Sequence, residues 1–461
     1  MNLVINNLGP IGQARFDLNK RISVFCGPNN TGKTYLSYVL YAYTRRNLVL
    51  DNPIMDDALV RDFVNKGVIM LPLDNGVLYD ALIRRVDGIT DDMSTIFGLS
   101  DAKAKNIFPS TKVSIDMDRD SYAQEIKSRE INLEIFFRGD VLAGVYKQKD
   151  SDILKIENKK KSWDDDEREI FRHDFLSQLY YRLANAPIYG SYFLPVERNS
   201  IYSFYKDIYS NRSQMLDFLK SVDENNRQSA MNFAEKNSVR YPLAISHTLE
   251  TANRINQMAE EKGYYAEFAD AIEKEILDGR LSVTEDGDMT YVSSRSPRKE
   301  IPLYLTASLT KAMSGLIFYL RHICGPEDII LIDEPEVNCH PDVQILMTRV
   351  FARMANAGLR LVISTHSDYI VRELNNLIML SGVSEDISDQ FKEWGYTHDM
   401  KLSPDDVAAY LFDYSKNNRV SVKPIELTDS GFEVRTIDEA IAQLNEVSQT
   451  LYYKLRYGKK K

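Results

Sequence analysis

The chain has 461 residues, a formal net charge of −10 and only three cysteines, Cys26, Cys324 and Cys339, too scattered for a disulfide framework or a Cys/His zinc knuckle. That length can bury a large core in more than one unit, and the acidic balance argues against a surface coated with nucleic-acid-binding lysines, although a local basic groove is compatible with it. No apolar run approaches the ~20 residues that cross a bilayer and no basic-then-apolar leader opens the chain, so a soluble, cytoplasmic protein with no membrane partner is expected.

The first strong element is the apolar run Ile22 to Cys26, which predicts a buried strand. It leads into Gly27, Pro28, Asn29, Asn30, Thr31, Gly32, Lys33 and Thr34, and then into a helical segment, Tyr35 to Tyr43. Strand, glycine-rich loop and helix in that order make a phosphate-binding loop, whose backbone N–H groups and helix N-terminus face nucleotide phosphates. Lys33 would reach the β- and γ-phosphates, and the Thr34 hydroxyl would help hold Mg²⁺. A plain glycine-rich turn is the alternative.

Residues 51–107 mix helical apolar spacing with turns, and 112–116, 131–137 and 141–147 read as strands of a β-rich insertion, with Arg138-Gly139-Asp140 as a hairpin signal. Residues 148–170 are strongly charged and read as a mobile loop, the cluster Lys159 to Lys161 being cancelled by Asp164 to Glu167. Tyr192 to Arg198 is an apolar run closed by Glu197 and Arg198, which either act near nucleotide or form a structural ion pair. From 200 to 280 the pattern is of short helices broken at Pro242 and Gly263, without heptads. Residues 281–286, 289–293 and 299–305 read as strands returning to the nucleotide-binding body of the chain, the first two joined around Gly287.

Thr306, Ala307 and Ser308 open a helical run to Leu320, where small residues either cap the helix or offer N–H groups to an anion. Ile329 to Ile332 predicts a buried parallel strand that delivers Asp333 and Glu334 at its C-terminal end, the ligand side of an open α/β sheet. Asp333 would orient Mg²⁺ and Glu334 would act as general base toward water. A helix beginning at Pro341 and a strand from Leu359 to Ile363 follow, the latter ending in Ser364-Thr365-His366-Ser367, which puts His366 where it can contact a γ-phosphate or the attacking water. Past residue 380 the sheet signal fades. Thr436 to Glu439 form a capping box ahead of a stripe of Ile441, Leu444, Val447 and Leu451, a helix that packs on its own chain or docks a partner, and a basic tail ends the chain.

The order of these motifs resembles the ABC-type ATPase heads of the SMC, DNA-repair and OLD (overcoming lysogenization defect) group. Residues Leu3 to Thr34, the YFLPVER segment at Tyr192 to Arg198, and the LIDEPEVNCHP segment are similar to the branch found in bacterial anti-phage defence, above all the AriA ATPases of PARIS systems and less closely the PtuA ATPases of Septu systems. The resemblance covers about residues 1–45, 186–200 and 300–380. It implies an α/β fold, an ABC-type P-loop head with a mostly parallel core sheet, an antiparallel β subdomain and a helical insertion. The chain is expected to divide into 1–200, the N-terminal half of the head with its β-rich insertion; 201–298, the helical insertion; 299–380, the C-terminal half of the head; and 381–461, a C-terminal appendage with the terminal helix. The resemblance further implies ATP and Mg²⁺ as cofactors, and a homo-oligomer, a dimer or a multiple of one, in which the phosphate loop of one chain faces a signature segment of another, here Thr306 to Lys311, with His340 at the seam. No LSGGQ sequence is present. Nothing after residue 380 has the acidic pattern of a Toprim nuclease, so any nuclease would be a separate effector chain: the resemblance to AriA implies a Toprim nuclease partner and that to PtuA an HNH nuclease, with room for a phage-encoded trigger protein. A DNA-metabolism ATPase whose heads clamp DNA is the alternative; nucleic acid is possible but not indicated.

Overall fold

The computed structural model describes residues 1–45, 55–137, 140–185, 188, 190–206, 208, 241–383, 388–415 and 419–457. The expected hairpin tip at residues 138–139 and the Lys459 to Lys461 tail lie outside the described residues, as do positions 209–240 of the helical insertion. None of the described helices is long and apolar enough to cross a membrane.

The chain opens with β1 (Asn2–Leu8), β2 (Ile11–Asp17) and β3 (Ile22–Cys26). The first two form a hairpin, registered Leu8 on Ile11 and Leu3 on Phe16. The helix Lys33–Arg45 follows, and after shorter helices and β4 (Val68–Pro72) the chain reaches β5 (Lys112–Ile115), β6 (Ile131–Phe137), β7 (Asp140–Lys147), β8 (Ile153–Asn158) and β9 (Ser191–Leu194). Further on lie β10 (Gly279–Val283), β11 (Met289–Ser293), β12 (Glu300–Pro302), β13 (Ile329–Asp333), β14 (Arg360–Ser364), β15 (Val407–Tyr414) and β16 (Val420–Ile425).

Nine of the described strands build one sheet in the order β5-β1-β2-β16-β15-β3-β14-β13-β9. Its centre is parallel, with β15, β3, β14, β13 and β9 aligned, and antiparallel pairs are confined to β5-β1-β2 and β16-β15. This is the mostly parallel α/β core expected from the apolar runs. Alternation along each strand feeds two cores. Ile22, Val24, Ile330, Ile332, Leu361 and Ile363 enter the one beneath the helices Ser308–His322 and Pro341–Asn356. Phe25, Leu331, Val362, Tyr410 and Phe412 enter the one beneath Lys33–Arg45. With both faces covered, these strands read as continuous apolar runs.

Several expectations are corrected. The stretch 148–170 is not a loop: β8 is the second strand of a four-stranded antiparallel sheet ordered β4-β8-β7-β6, and the helix Asp165–Asn185 begins within it. Its charges mislead because Lys155 and Glu157 pair on the open face while Leu154 and Ile156 are fully buried. The strand at 112–115 joins the edge of the main sheet against β1, not the inserted one. The strands expected at 281–305 form a three-stranded antiparallel sheet of their own, β10-β11-β12, with Leu303–Leu305 a 3₁₀ turn and not strand.

The largest correction lies past residue 380. Strands β15 and β16 enter the middle of the main sheet, between β3 and β2, with Ala409 registered on Val24 and Tyr410 on Phe25. The sheet is therefore closed by its last strands, and the segment is no appendage to it. The C-terminal helix, Arg435–Tyr457, begins one residue before the expected capping box: the Val434 carbonyl accepts from the Ile437 and Asp438 amides, so Thr436 lies inside the first turn.

Candidate functional site

β3, β13 and β14 run parallel and end together, so Cys26, Asp333 and Ser364 release their chains on one edge. The loop after β3 turns because Gly27 and Gly32 take φ of 138° and 90°, and Asn30 takes 62°. Gly27 has a second constraint. A Cβ there would lie 2.2 Å from the Phe412 carbonyl oxygen, so β15 is packed against the loop's first residue. Tyr414, two residues on, donates its hydroxyl to the Asn30 carbonyl at 3.1 Å.

The loop, the start of the helix Lys33–Arg45 and the ends of β13 and β14 enclose a cleft of about 490 Å³, of a size suited to a small-molecule ligand, lined among others by Asn29, Asn30, Thr31, Gly32, Lys33, Thr34, Asp333, Glu334 and His366. Pro28 contributes its carbonyl, which accepts from the Thr31 hydroxyl at 2.8 Å and from Lys33 Nζ at 2.9 Å; Lys33 also donates to the Gly27 carbonyl at 3.0 Å. Lys33 is almost fully buried, and that burial pulls its ammonium below the usual lysine range against the opposing pull of Asp333 and Glu334. An ammonium held only by neutral carbonyls in a cleft is poised to exchange them for an anion.

Thr34 Oγ1 donates to Asp333 Oδ2 at 2.6 Å, and Ser364 Oγ donates to Asp333 Oδ1, so both carboxylate oxygens are held at the mouth of the sheet. Among the described residues no group of three or more His, Cys, Asp or Glu could by itself hold a metal. The Thr34–Asp333 pair nevertheless fits Mg²⁺, which takes one or two protein oxygens and completes its shell with phosphate and water.

Glu334 follows with φ of 47°, a left-handed conformation costly for a residue with a Cβ. Its amide donates to the Ser364 carbonyl at 3.0 Å, and its carboxylate lies 3.8 Å from His366 Nε2. Burial, then the nearby Asp333 and Glu336 charges, raise the Glu334 carboxyl above the usual range. Burial and then Lys33 push His366 down to about 4, so its ring is neutral near pH 7 and its contact with Glu334 is not an ion pair there. The His366 amide donates to Glu336 Oε1 at 2.6 Å, which also accepts from Thr365 Oγ1 at 2.9 Å. Behind the loop, burial pushes the Cys26 thiol up to about 12, which leaves it an inert wall of the core.

Thr306, Ala307 and Ser308 are not among the residues that line this cleft. They sit at the start of the helix Ser308–His322, with no side-chain cap at Ala307, and Thr306 Oγ1 donates back to the Leu303 carbonyl at 2.7 Å. The adjoining Tyr304 and Leu305 are exposed. His340, at the N-cap of Pro341–Asn356, is likewise exposed, and its ring accepts from the Asp342 amide at 3.4 Å beside the Asp342 carboxylate.

Arg198 makes no bond to Glu197 among the described residues. It is fully buried and donates to the carbonyls of Asp333 and Glu334 at 2.8 Å each, of Pro195 at 3.0 Å and of Pro335 at 3.5 Å. Three supports were not separable from sequence: Ser364, whose role needs its distance to Asp333; Glu336, one of several acids in a row; and Tyr414, on a strand whose place in the sheet no local pattern reveals.

No curated protein matches the chain. Among solved structures, it is similar to the Smc head domain with an extended coiled coil bound to the C-terminal domain of ScpA from Pyrococcus furiosus, at 10% identity and TM-score 0.34 over 97% of this chain and 98% of that one. It is also similar to the SMC head domain from Thermotoga maritima, at 10% identity and TM-score 0.31 over 92% and 98%. The model of one protein family, the AAA ATPase domain AAA_15, matches residues 1–371, and with its phosphate loop, acidic strand end and parallel sheet the chain belongs to that family of ATPases.

Proposed function

We propose that this ATPase is the nucleotide-driven sensor and scaffold of an anti-phage defence system, a homo-oligomer that holds a separate nuclease effector, of Toprim type, until an infection signal changes its state. The observation that carries the nucleotide half is the gathering of Lys33, Thr34, Asp333, Glu334 and His366 around one cleft. The defence half rests on the resemblance of the phosphate loop, the Tyr192 to Arg198 segment and the acidic strand end to defence ATPases.

In this reading the loop amides from Asn29 to Thr34 bind the ATP phosphates, and Lys33 leaves its carbonyls for the β- and γ-phosphates. Thr34 and Asp333 would hold Mg²⁺, which neutralises phosphate charge when bound. Glu334 takes a proton from water as it attacks phosphorus, which its raised pKa favours, and neutral His366 orients that water or the γ-phosphate through a ring nitrogen. Thr306 to Ser308 serve the cleft of a second copy; the exposure of Ala307 and Ser308, next to Tyr304 and Leu305, leaves that face open for it. ATP held between two heads would favour the closed assembly, and hydrolysis or a trigger that prefers one state would shift the population.

The test is co-purification of the tagged chain with the products of its neighbouring genes, wild type against Glu334→Gln, with mass photometry of the eluate. A large assembly holding a nuclease chain supports the reading. A bare dimer that carries DNA moves the function to a DNA-clamping ATPase, a reading that the net charge of −10 does not favour.

A further inference from the structure

Among the described residues, the C-terminal helix, Arg435–Tyr457, touches its own chain only at the root. Ile437 packs against the core and Ile441 is half-buried, yet every residue from Ala442 to Tyr457 is exposed, including Leu444, Val447, Leu451 and Leu455 at 67%, 48%, 63% and 86%. The expectation that the helix packs on its own head is thereby corrected. Helices in proteins draw most of their stability from packing an apolar face, and beyond the root this leucine stripe, open to solvent among the described residues, forfeits that burial.

Ile437, Ile441, Leu444, Ser448, Leu451 and Leu455 follow one another in alternating steps of four and three, the seam of a coiled coil with one polar position. Those steps read the same in either direction. A reversed second copy sets Ile437 against Leu455, Ile441 against Leu451 and Leu444 against Ser448. Charge agrees with that direction. The acids Asp438, Glu439 and Glu446 occupy the root and middle, while Lys454 and Arg456 occupy the last turn. Parallel pairing brings the two acidic roots level with each other and the two basic ends likewise. Antiparallel pairing sets Asp438 on the same flank of the seam as Arg456 of the second copy and within a turn of its level, while Lys454 lies level with Asp438 on the other flank and Glu446 on the helix face away from the seam.

We infer that this helix is a self-association surface that pairs antiparallel with the same helix of a second copy. It deepens the homo-oligomeric part of the reading above, but it holds without nucleotide, so a failure of the ATPase assignment leaves it standing.

The experiment is sedimentation equilibrium of the full chain in nucleotide-free buffer at micromolar concentration. Wild type should dimerise or form multiples of dimers. Leu444→Asp with Leu451→Asp changes only exposed positions and should weaken association on the order of a hundredfold or more, because two carboxylates would be buried at the seam. Circular dichroism of the variant at low concentration checks that the body stays folded. Direction is read from charge reversal: Asp438→Lys with Glu439→Lys, and Lys454→Glu with Arg456→Glu, each weaken pairing several-fold, and the two pairs combined restore it. A monomeric wild type, or a Leu444/Leu451 variant that associates like wild type, overturns the surface. Reversals that do not rescue one another overturn the antiparallel arrangement.

Discussion

Arg198 holds the backbone of Glu334. Its guanidinium donates to the Glu334 carbonyl at 2.8 Å and, in the same fork, to that of Asp333, across the turn where Glu334 adopts φ of 47°. A left-handed glutamate persists only where its surroundings over-determine it, and here a charged donor on one side and the Ser364 carbonyl on the other do so. Arg198→Lys keeps the charge but not the fork. Charged hydrogen bonds of this kind contribute about 1.5–3 kcal/mol each. The expected result is a stability loss of roughly 2–3 kcal/mol in urea unfolding and turnover reduced about tenfold, with the KM for ATP nearly unchanged, because the lysine cannot hold both carbonyls. Wild-type turnover in a folded variant would dissociate Arg198 from the position of Glu334.

Lys33→Ala should weaken ATP binding on the order of a hundredfold or more, since it removes the buried cation that faces the phosphates. Isothermal titration with ATP measures this. Retained affinity would defeat the phosphate-loop assignment.

For Glu334→Gln the expectation is different: binding persists while turnover falls about 10²- to 10⁴-fold, the usual contribution of a general base. Filter-retained radiolabelled nucleotide, identified as ATP or ADP, distinguishes trapping from failure to bind. Unchanged turnover would remove Glu334 from the base role.

His366 makes stability depend on pH with a definite sign. Its ring is held neutral down to about pH 4 in the fold but protonates near 6.5 when unfolded. Between those values the unfolded chain binds more protons, so stability rises with pH through that window and is lost as pH falls from 6.5 toward 4. Urea midpoints at pH 5 and pH 7.5 should differ less in His366→Asn than in wild type. Equal differences would mean that the histidine is not buried as described.

Gly27→Ala probes the joint between the phosphate loop and the last part of the sheet. A methyl there meets the Phe412 carbonyl and must adopt φ of 138°, so a loss of about 1–3 kcal/mol is expected, with nucleotide affinity reduced as the loop shifts off β15. A melting temperature and affinity matching wild type would show that β15 does not buttress the loop.

The parallel centre of the fold was legible because strands buried on both faces carry local apolar runs, as at Ile22 to Cys26 and Ile329 to Ile332, and because a phosphate loop needs its glycines and lysine within eight consecutive residues. Wherever a residue's neighbours lie close along the chain, composition and spacing are enough to raise the candidate. Sequence could not place β15 between β3 and β2, since strand order depends on hydrogen bonds between segments nearly four hundred residues apart, and Val407 to Tyr414 carries no mark of its neighbours. The same reason hid the clamp of Arg198 on the turn at Glu334 and the hold of Ser364 on Asp333. Periodicity showed that the last helix has an apolar stripe, but only the packed structure decided that the described residues leave the stripe uncovered, because burial is a property of the assembled surface and not of any one segment.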